Sequence, residues 1–458
     1  MKLRINSDGA VLILGLVIIP LISIIFPPAG AAVMTLAIIY YMLRRDSSTL
    51  LFFVCSIVTQ NITLLIGANK YNSTLVTLYS LSKEILLYGC VAITIVHSQR
   101  IKKKSLYFLF FVLVIFGAFI FSDAPTYAKI VSIRQFMLPF VCFFFGAILK
   151  INESEIKTIS KYIMIISLVV GAIGVLEVFV FQDEIWTMLP IARFQENKGA
   201  VFELYNGVPL NFYTFDYFAI VHKVLRRLVS TFTDPLMTGH FLFLGLVLTD
   251  LILKKGTKRI IIKLFFVMCS FLTLSKGVFL SFLCYFALSI IKRYSYETIR
   301  NIIFMSVGLI VAGFIGVYEI STRFLSNSSI LIHMNGFVKG ITNGGIIGRG
   351  LGKAGVMVYI LVNSDESIAS ESYIGVMASQ IGLIGVMIFI AFWMIVFFKL
   401  IRFGKQYTLC YVSEILLISV LLESFFSESS IGIVGTGLYF IFAGISLKQG
   451  SEILSSFR

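Results

Sequence analysis

Runs of about 20 apolar residues recur along the whole chain, separated by short charged or glycine-containing stretches. A helix of that length crosses a bilayer core of about 30 Å. Inside hydrocarbon the backbone must satisfy its own hydrogen bonds, which leaves helices as the spanning structure here. With 58% hydrophobic and 13% charged residues in 458, the chain falls far below the roughly 25% charge of a soluble domain. Soluble, fibrous and disordered classes are excluded. The sequence predicts an all-α polytopic membrane protein.

The runs place spans near 10–26, 29–43, 48–67, 77–97, 105–122, 130–149, 158–181, 235–253, 260–274, 277–291, 301–318, 371–399, 409–425 and 430–447. These are about 14 transmembrane helices in one integral domain, 1–458. The first run follows Met1-Lys2-Leu3-Arg4 but has no convincing small-residue cleavage site, and a second run comes at once. It reads as a retained span. The pair at 260–291 requires a tight turn at Ser275-Lys276-Gly277.

Charge sets the expected orientation. With the N-terminus in the cytoplasm, the inner loops collect Arg44, Arg45, Arg100, Lys102 to Lys104, Lys150, Lys157, Lys254, Lys255, Lys258, Arg259, Lys292, Arg293, Arg300, Lys399, Arg402 and Lys405. Short outer loops carry very few basic residues, so the positive-inside rule puts both termini inside. That distribution accounts for most of the net charge of +15 without a nucleic-acid partner. Two long connections, 182–229 and 319–370, fall on the outer side, and connections of that length are usually functional. In the first, Tyr217, Ile220, Val221, Val224, Leu225 and Leu228 make one face of an expected amphipathic helix over Tyr213 to Leu228. It serves either as a structural interfacial helix or as a surface for lipid headgroups.

Cys55, Cys90, Cys142, Cys269, Cys284 and Cys410 sit inside apolar runs without paired spacing and read as buried small hydrophobes. The histidines His97, His222, His240 and His333 show no ligand spacing, so neither a metal nor a cofactor is expected. Charges deep in the spans are scarce. Lys161, Lys263, Glu177 and Glu414 lie near predicted ends and can snorkel. A transporter would more often carry ionisable groups at mid-membrane.

Five clusters could carry chemistry. The first, Arg227-Leu-Val-Ser-Thr-Phe-Thr-Asp-Pro-Leu-Met-Thr-Gly239-His240, offers a planar guanidinium to phosphate oxygens and an Asp234-Pro235 helix start. Lys276 stands in the second, an outer turn, and Arg134 in the third, at the outer start of a span. Each is either a phosphate ligand or an ordinary interfacial charge. The fourth is Gly344-Gly-Ile-Ile-Gly-Arg349-Gly-Leu-Gly-Lys353-Ala-Gly355. It lacks the strand–helix context of a dinucleotide site and the hydroxyl residue of a Walker motif. Its glycines could form an anion nest flanked by Arg349 and Lys353, or simply a flexible loop. The fifth, Ser370-Glu371-Ser372-Tyr373 followed by Gln380-Ile-Gly-Leu-Ile-Gly385, offers Glu371 as a helix cap or a general base.

The order of these motifs over roughly 225–390 resembles the O-antigen ligase and O-antigen polymerase superfamily. The shared features are an Arg-x-x-Ser-Thr-Phe…Pro…Gly entry, a Leu-Thr-Leu-Ser-Lys-Gly turn, a glycine-rich outer loop, and Glu-Ser-Tyr before Gly-Leu-Ile-Gly. Lys276 stands where the family commonly has a Ser-Arg pair. Ligases usually open the span after the long loop with a histidine motif, whereas this chain has Glu371-Ser372. An Arg-x10-Gly pattern found in some polymerases is not met from Arg227, Arg323 or Arg349.

The resemblance implies a GT-C-like glycosyltransferase of the bacterial inner membrane. It would polymerise polyprenyl-diphosphate-linked repeat units at the outer face, among membrane lipids, beside a chain-length regulator and a flippase. Arg227, Arg349, Lys353, Arg134 and Lys276 would meet the diphosphate and glycan, and Glu371 would be the catalytic base. The alternatives are a ligase moving glycan to lipid A-core, and a polysaccharide or lipid transporter.

Overall fold

The computed structural model describes residues 7–97, 106–198, 203–215, 222–291, 298, 329–356, 358–359, 371–404 and 406–456. The described chain is predominantly α-helical. Its strands are two short hairpins. Seven helices among these residues are long and apolar enough to cross a membrane: Asp8–Ile25, Ser47–Ile66, Ser73–Val96, Thr126–Ile148, Glu153–Phe181, Pro235–Ile252 and Tyr373–Gly404. Shorter apolar helices include Phe108–Phe121 and Lys276–Ile290. This is a multi-pass, all-α membrane architecture. The expected span at 301–318 lies outside the described residues.

The chain divides into two compact units. One comprises Met1–His97 and Phe144–Phe279, the other Ser98–Phe143 and Leu280–Arg458.

In the first unit, local sequence sets the helix starts. Asp46 and Asn152 each form a capping box, at Ser47–Ile66 and Glu153–Leu176. Asp234 accepts the Met237 N–H at 2.8 Å with Pro235 at the first position, as its sequence indicates. The helices Thr257–Leu272 and Lys276–Ile291 meet at the expected turn, but Lys276 opens the second helix instead of occupying the turn. All six cysteines are buried.

Two expectations fail here. The ends of the anticipated amphipathic helix are extended, because Tyr213–Thr214 pairs antiparallel with Leu225–Arg226; residues 216–221 lie outside the described residues. Charge is also not confined to span ends. Lys83 and Glu84 lie midway along Ser73–His97 and are buried. The Lys83 ammonium donates to Gln60 Oε1 at 2.5 Å and to the Ser80 carbonyl at 2.7 Å.

In the second unit, rings from three helices form the core. Phe140 lies 5.8 Å from Phe389 and 5.4 Å from Trp393, which stands 4.8 Å from Phe440. Part of the second long connection is not loop but a helix, Ser329–Gly344. It packs against the start of Tyr373–Gly404 through small residues. A Cβ at Gly344 would run into the Ala378 carbonyl, so only glycine allows this backbone approach.

Candidate functional site

The two glycine motifs of the second unit meet. The helix Tyr373–Gly404 is broken at Gly382, whose φ of 69° and ψ of 178° are open almost only to glycine. A break leaves carbonyls unpaired on one side and amides on the other. The segment Gly345–Ala354 answers both sets. Arg349 and Gly350 donate their N–H groups to the Ser379 and Gln380 carbonyls at 2.9 and 3.0 Å. Leu383 and Ile384 donate to the Gly345 and Ile346 carbonyls at 3.0 and 3.2 Å. The buried Gln380 side chain completes the joint, accepting the Gly352 N–H at 2.8 Å and donating to the Ala354 carbonyl at 2.6 Å.

The expected anion nest is therefore closed over Gly348 to Gly352. The amides from Gly348 to Gly352 all donate to protein acceptors. What the joint presents instead is the Arg349 side chain, which is exposed and has no hydrogen-bond or ion-pair partner among the described residues. Lys353 differs: its ammonium lies 2.6 Å from Asp123 Oδ1. That ammonium holds the Asp123 carboxyl below its usual range.

Beyond Ala354 the segment reaches Glu428, which lies in the connection between Thr408–Glu423 and Gly437–Ser456. Glu428 Oε2 accepts the Val356 N–H at 2.7 Å, and Oε1 accepts the Gln135 side-chain amide at 3.1 Å. Its own N–H donates to the Glu371 carbonyl at 2.6 Å. Burial pushes the Glu428 carboxyl above its usual range and the Glu371 charge adds to that, while the Val356 and Gln135 donors oppose it. Arg134, next to Gln135, is exposed. Glu371 is not the helix cap. Ser372 Oγ accepts the Gly375 N–H at 3.0 Å in that role.

Arg227 and Lys276 belong to the first unit and share one turn. Arg227 Nε donates to the Thr273 carbonyl at 2.9 Å and Nη1 to the Asn211 carbonyl at 3.3 Å. Leu228 donates to the Leu272 carbonyl at 2.9 Å, fastening the Arg227 strand end to the turn that leads into Lys276. The neighbouring Arg226 has a different environment. It pairs with Glu177 at 2.7 Å and Asp183 at 2.8 Å, its guanidinium 5.0 Å from the Phe212 ring centre. Glu177 does not snorkel. It is buried and also accepts from Trp186 Nε1 at 2.9 Å and from the Val229 and Ser230 amides at 3.2 and 2.6 Å.

Within the second unit, then, Arg134, Arg349, Lys353 and Glu371 lie on segments tied to one another through Gln380 and Glu428. Glu428 was missed by the sequence reading, since a lone acid between serines carries no motif. No protein-family model matches the chain, and no curated protein matches it.

Proposed function

We propose that this chain is a membrane glycosyltransferase that extends a glycan on a polyprenyl diphosphate. It transfers the growing chain to a sugar hydroxyl of the next lipid-linked repeat unit, at the outer face of a bacterial inner membrane. In this reading about fourteen spans form a GT-C-like scaffold with both termini in the cytoplasm. The product is an O-antigen or capsule-type polysaccharide.

The observation that supports the reading is the gathering of an oriented carboxylate, Glu428, with the Arg134–Gln135, Arg349 and Glu371 segments in one unit. Guanidinium groups beside a departing diphosphate would stabilise the charge that develops there. A carboxylate would take the acceptor proton, the role the sequence assigns to Glu371. Arg227 and Lys276 would meet the lipid diphosphate as well, and a chain-length regulator and flippase would be partners.

A second reading, a lipid or polysaccharide transporter, is favoured by the buried Lys83 and Glu84 midway along a candidate span, since intramembrane charge marks many transport pathways. The lipid profile of a deletion strain separates the readings. Loss of a polymerase leaves single repeat units on the lipid core, and loss of a ligase leaves polymer on the carrier lipid. Loss of a flippase leaves single units facing inward.

A further inference from the structure

We propose that Glu428, rather than Glu371, is the catalytic base of the transfer, an inference that rests on the glycosyltransferase reading above. A general base must be fixed in position and keep an acceptor lone pair for the incoming proton. Glu428 meets both conditions. Its main chain is tied to Glu371 at 2.6 Å, and its two oxygens each accept one protein donor, at 2.7 Å from Val356 and 3.1 Å from Gln135. A carboxylate offers about four acceptor positions, so about two remain. The residue is 8% exposed, buried but not sealed. Gly355 lets the backbone pack closely against the carboxylate, because a Cβ there would stand 2.8 Å from Glu428 Oε1.

The other carboxyls of this neighbourhood suit the role less well. Asp123 is 82% exposed and paired with Lys353, so its conjugate acid is too strong for a base near neutral pH. Glu371 contributes its main-chain carbonyl to Glu428 and its charge to the Glu428 environment. Burial moves the Glu428 carboxyl upward, toward the range in which general bases work best.

The step balances simply. The acceptor hydroxyl oxygen forms a bond to the anomeric carbon. The bond from that carbon to the diphosphate oxygen breaks, and its electron pair leaves with the polyprenyl diphosphate. The hydroxyl proton passes to Glu428, which returns it to water. The charged groups on the elements packed against Glu428 are Glu371, Lys129 and Arg134 on the Gln135 helix, Arg349 and Lys353 on the glycine segment, with Asp123 paired to Lys353, and Glu423 at the end of the preceding helix. Of these, Glu371 raises the Glu428 carboxyl.

The test uses the full-length protein in vesicles carrying polyprenyl-diphosphate-linked repeat units, with polymer formation followed from about pH 5 to 9. The wild type should lose rate on the acid side as the base becomes protonated. Glu428→Gln should fall by about 10²–10⁴-fold while melting close to wild type in detergent. Glu428→Asp should keep measurable rate with its acid limb displaced. A Glu428→Gln protein within tenfold of wild type overturns the assignment, with the enzymatic reading intact. Equal inactivity of both variants with lowered melting also overturns it, because the role is then structural. A wild type that forms no polymer in these vesicles overturns the base and the enzymatic reading together.

Discussion

The Glu428 N–H donates to the main-chain carbonyl of Glu371 at 2.6 Å, and the Glu371 charge acts on the Glu428 carboxyl. Two acids 57 positions apart in the chain are therefore one electrostatic unit, with unequal tasks. Glu428 has both oxygens in defined hydrogen bonds. Glu371 precedes a helix that Ser372 already caps.

Glu371→Gln separates these tasks. The Glu371 charge raises the Glu428 carboxyl, so its removal lets Glu428 ionise at lower pH. The acid limb of the polymerisation profile should move to lower pH, with the plateau within about tenfold of wild type. Helix stability should change by well under about 1 kcal/mol, since no cap is lost. A plateau reduced by about 10²-fold or more would return the base role to Glu371.

Gly382→Ala tests the joint between the glycine segment and the broken helix. Alanine is strained at that φ and ψ by about 1–3 kcal/mol, and its Cβ would run into the Ile346 carbonyl. Melting in detergent should fall by several degrees and polymer yield with it. Gly117→Ala is the control: it lies in a helix with nothing within 4 Å of the added Cβ. It should be neutral or stabilising by up to about 1 kcal/mol. Equal behaviour of the two variants would remove the joint as a determinant of the fold.

Much of this architecture could be read from local pattern. Apolar runs marked helices, Asp234-Pro235 marked a helix start, and Ser275-Lys276-Gly277 marked a turn whose last two residues instead open the next helix. Tyr213 to Leu228 misled because apolar residues at three- and four-residue spacing suit a helix even where chain ends pair as strands. A hairpin signal did stand nearby: Asn206-Gly207 has both φ angles positive, 52° and 78°, between strands Leu204–Tyr205 and Val208–Pro209, as a two-residue turn requires. The glycine-rich segment and Gly-Leu-Ile-Gly were each visible, but their docking depends on backbone groups at a helix break. Sequence does not display such a break. Glu428 was illegible for a related reason, because Gln135 is 293 positions away.

Sidedness is open to a direct measurement. All six native cysteines are buried, so background labelling should be low. Glu184→Cys and Ile347→Cys replace exposed residues in the two long connections, and both should react in intact cells with a membrane-impermeant thiol reagent. Lys254→Cys, also exposed, should react only after the membrane is opened. The reverse pattern would overturn the orientation inferred from the basic loops.

Adjacent arginines give the sharpest contrast. Arg226 neutralises the buried Glu177 and the partly buried Asp183. Arg226→Ala leaves a buried carboxylate without its cation, a change that costs about 3–5 kcal/mol in comparable pairs. The protein should therefore accumulate poorly and melt early. Arg227 instead bonds two main-chain carbonyls, on Thr273 and Asn211, at the turn before Lys276. Arg227→Lys keeps the charge but loses the planar donor fork. It should accumulate nearly as wild type while polymer formation drops at least tenfold. Membrane abundance and polymer length measured on the same cells distinguish the two effects. Near-normal polymer in Arg227→Lys would remove Arg227 from diphosphate binding, and normal accumulation of Arg226→Ala would show that the Glu177 ion pair does not hold the first long connection in place.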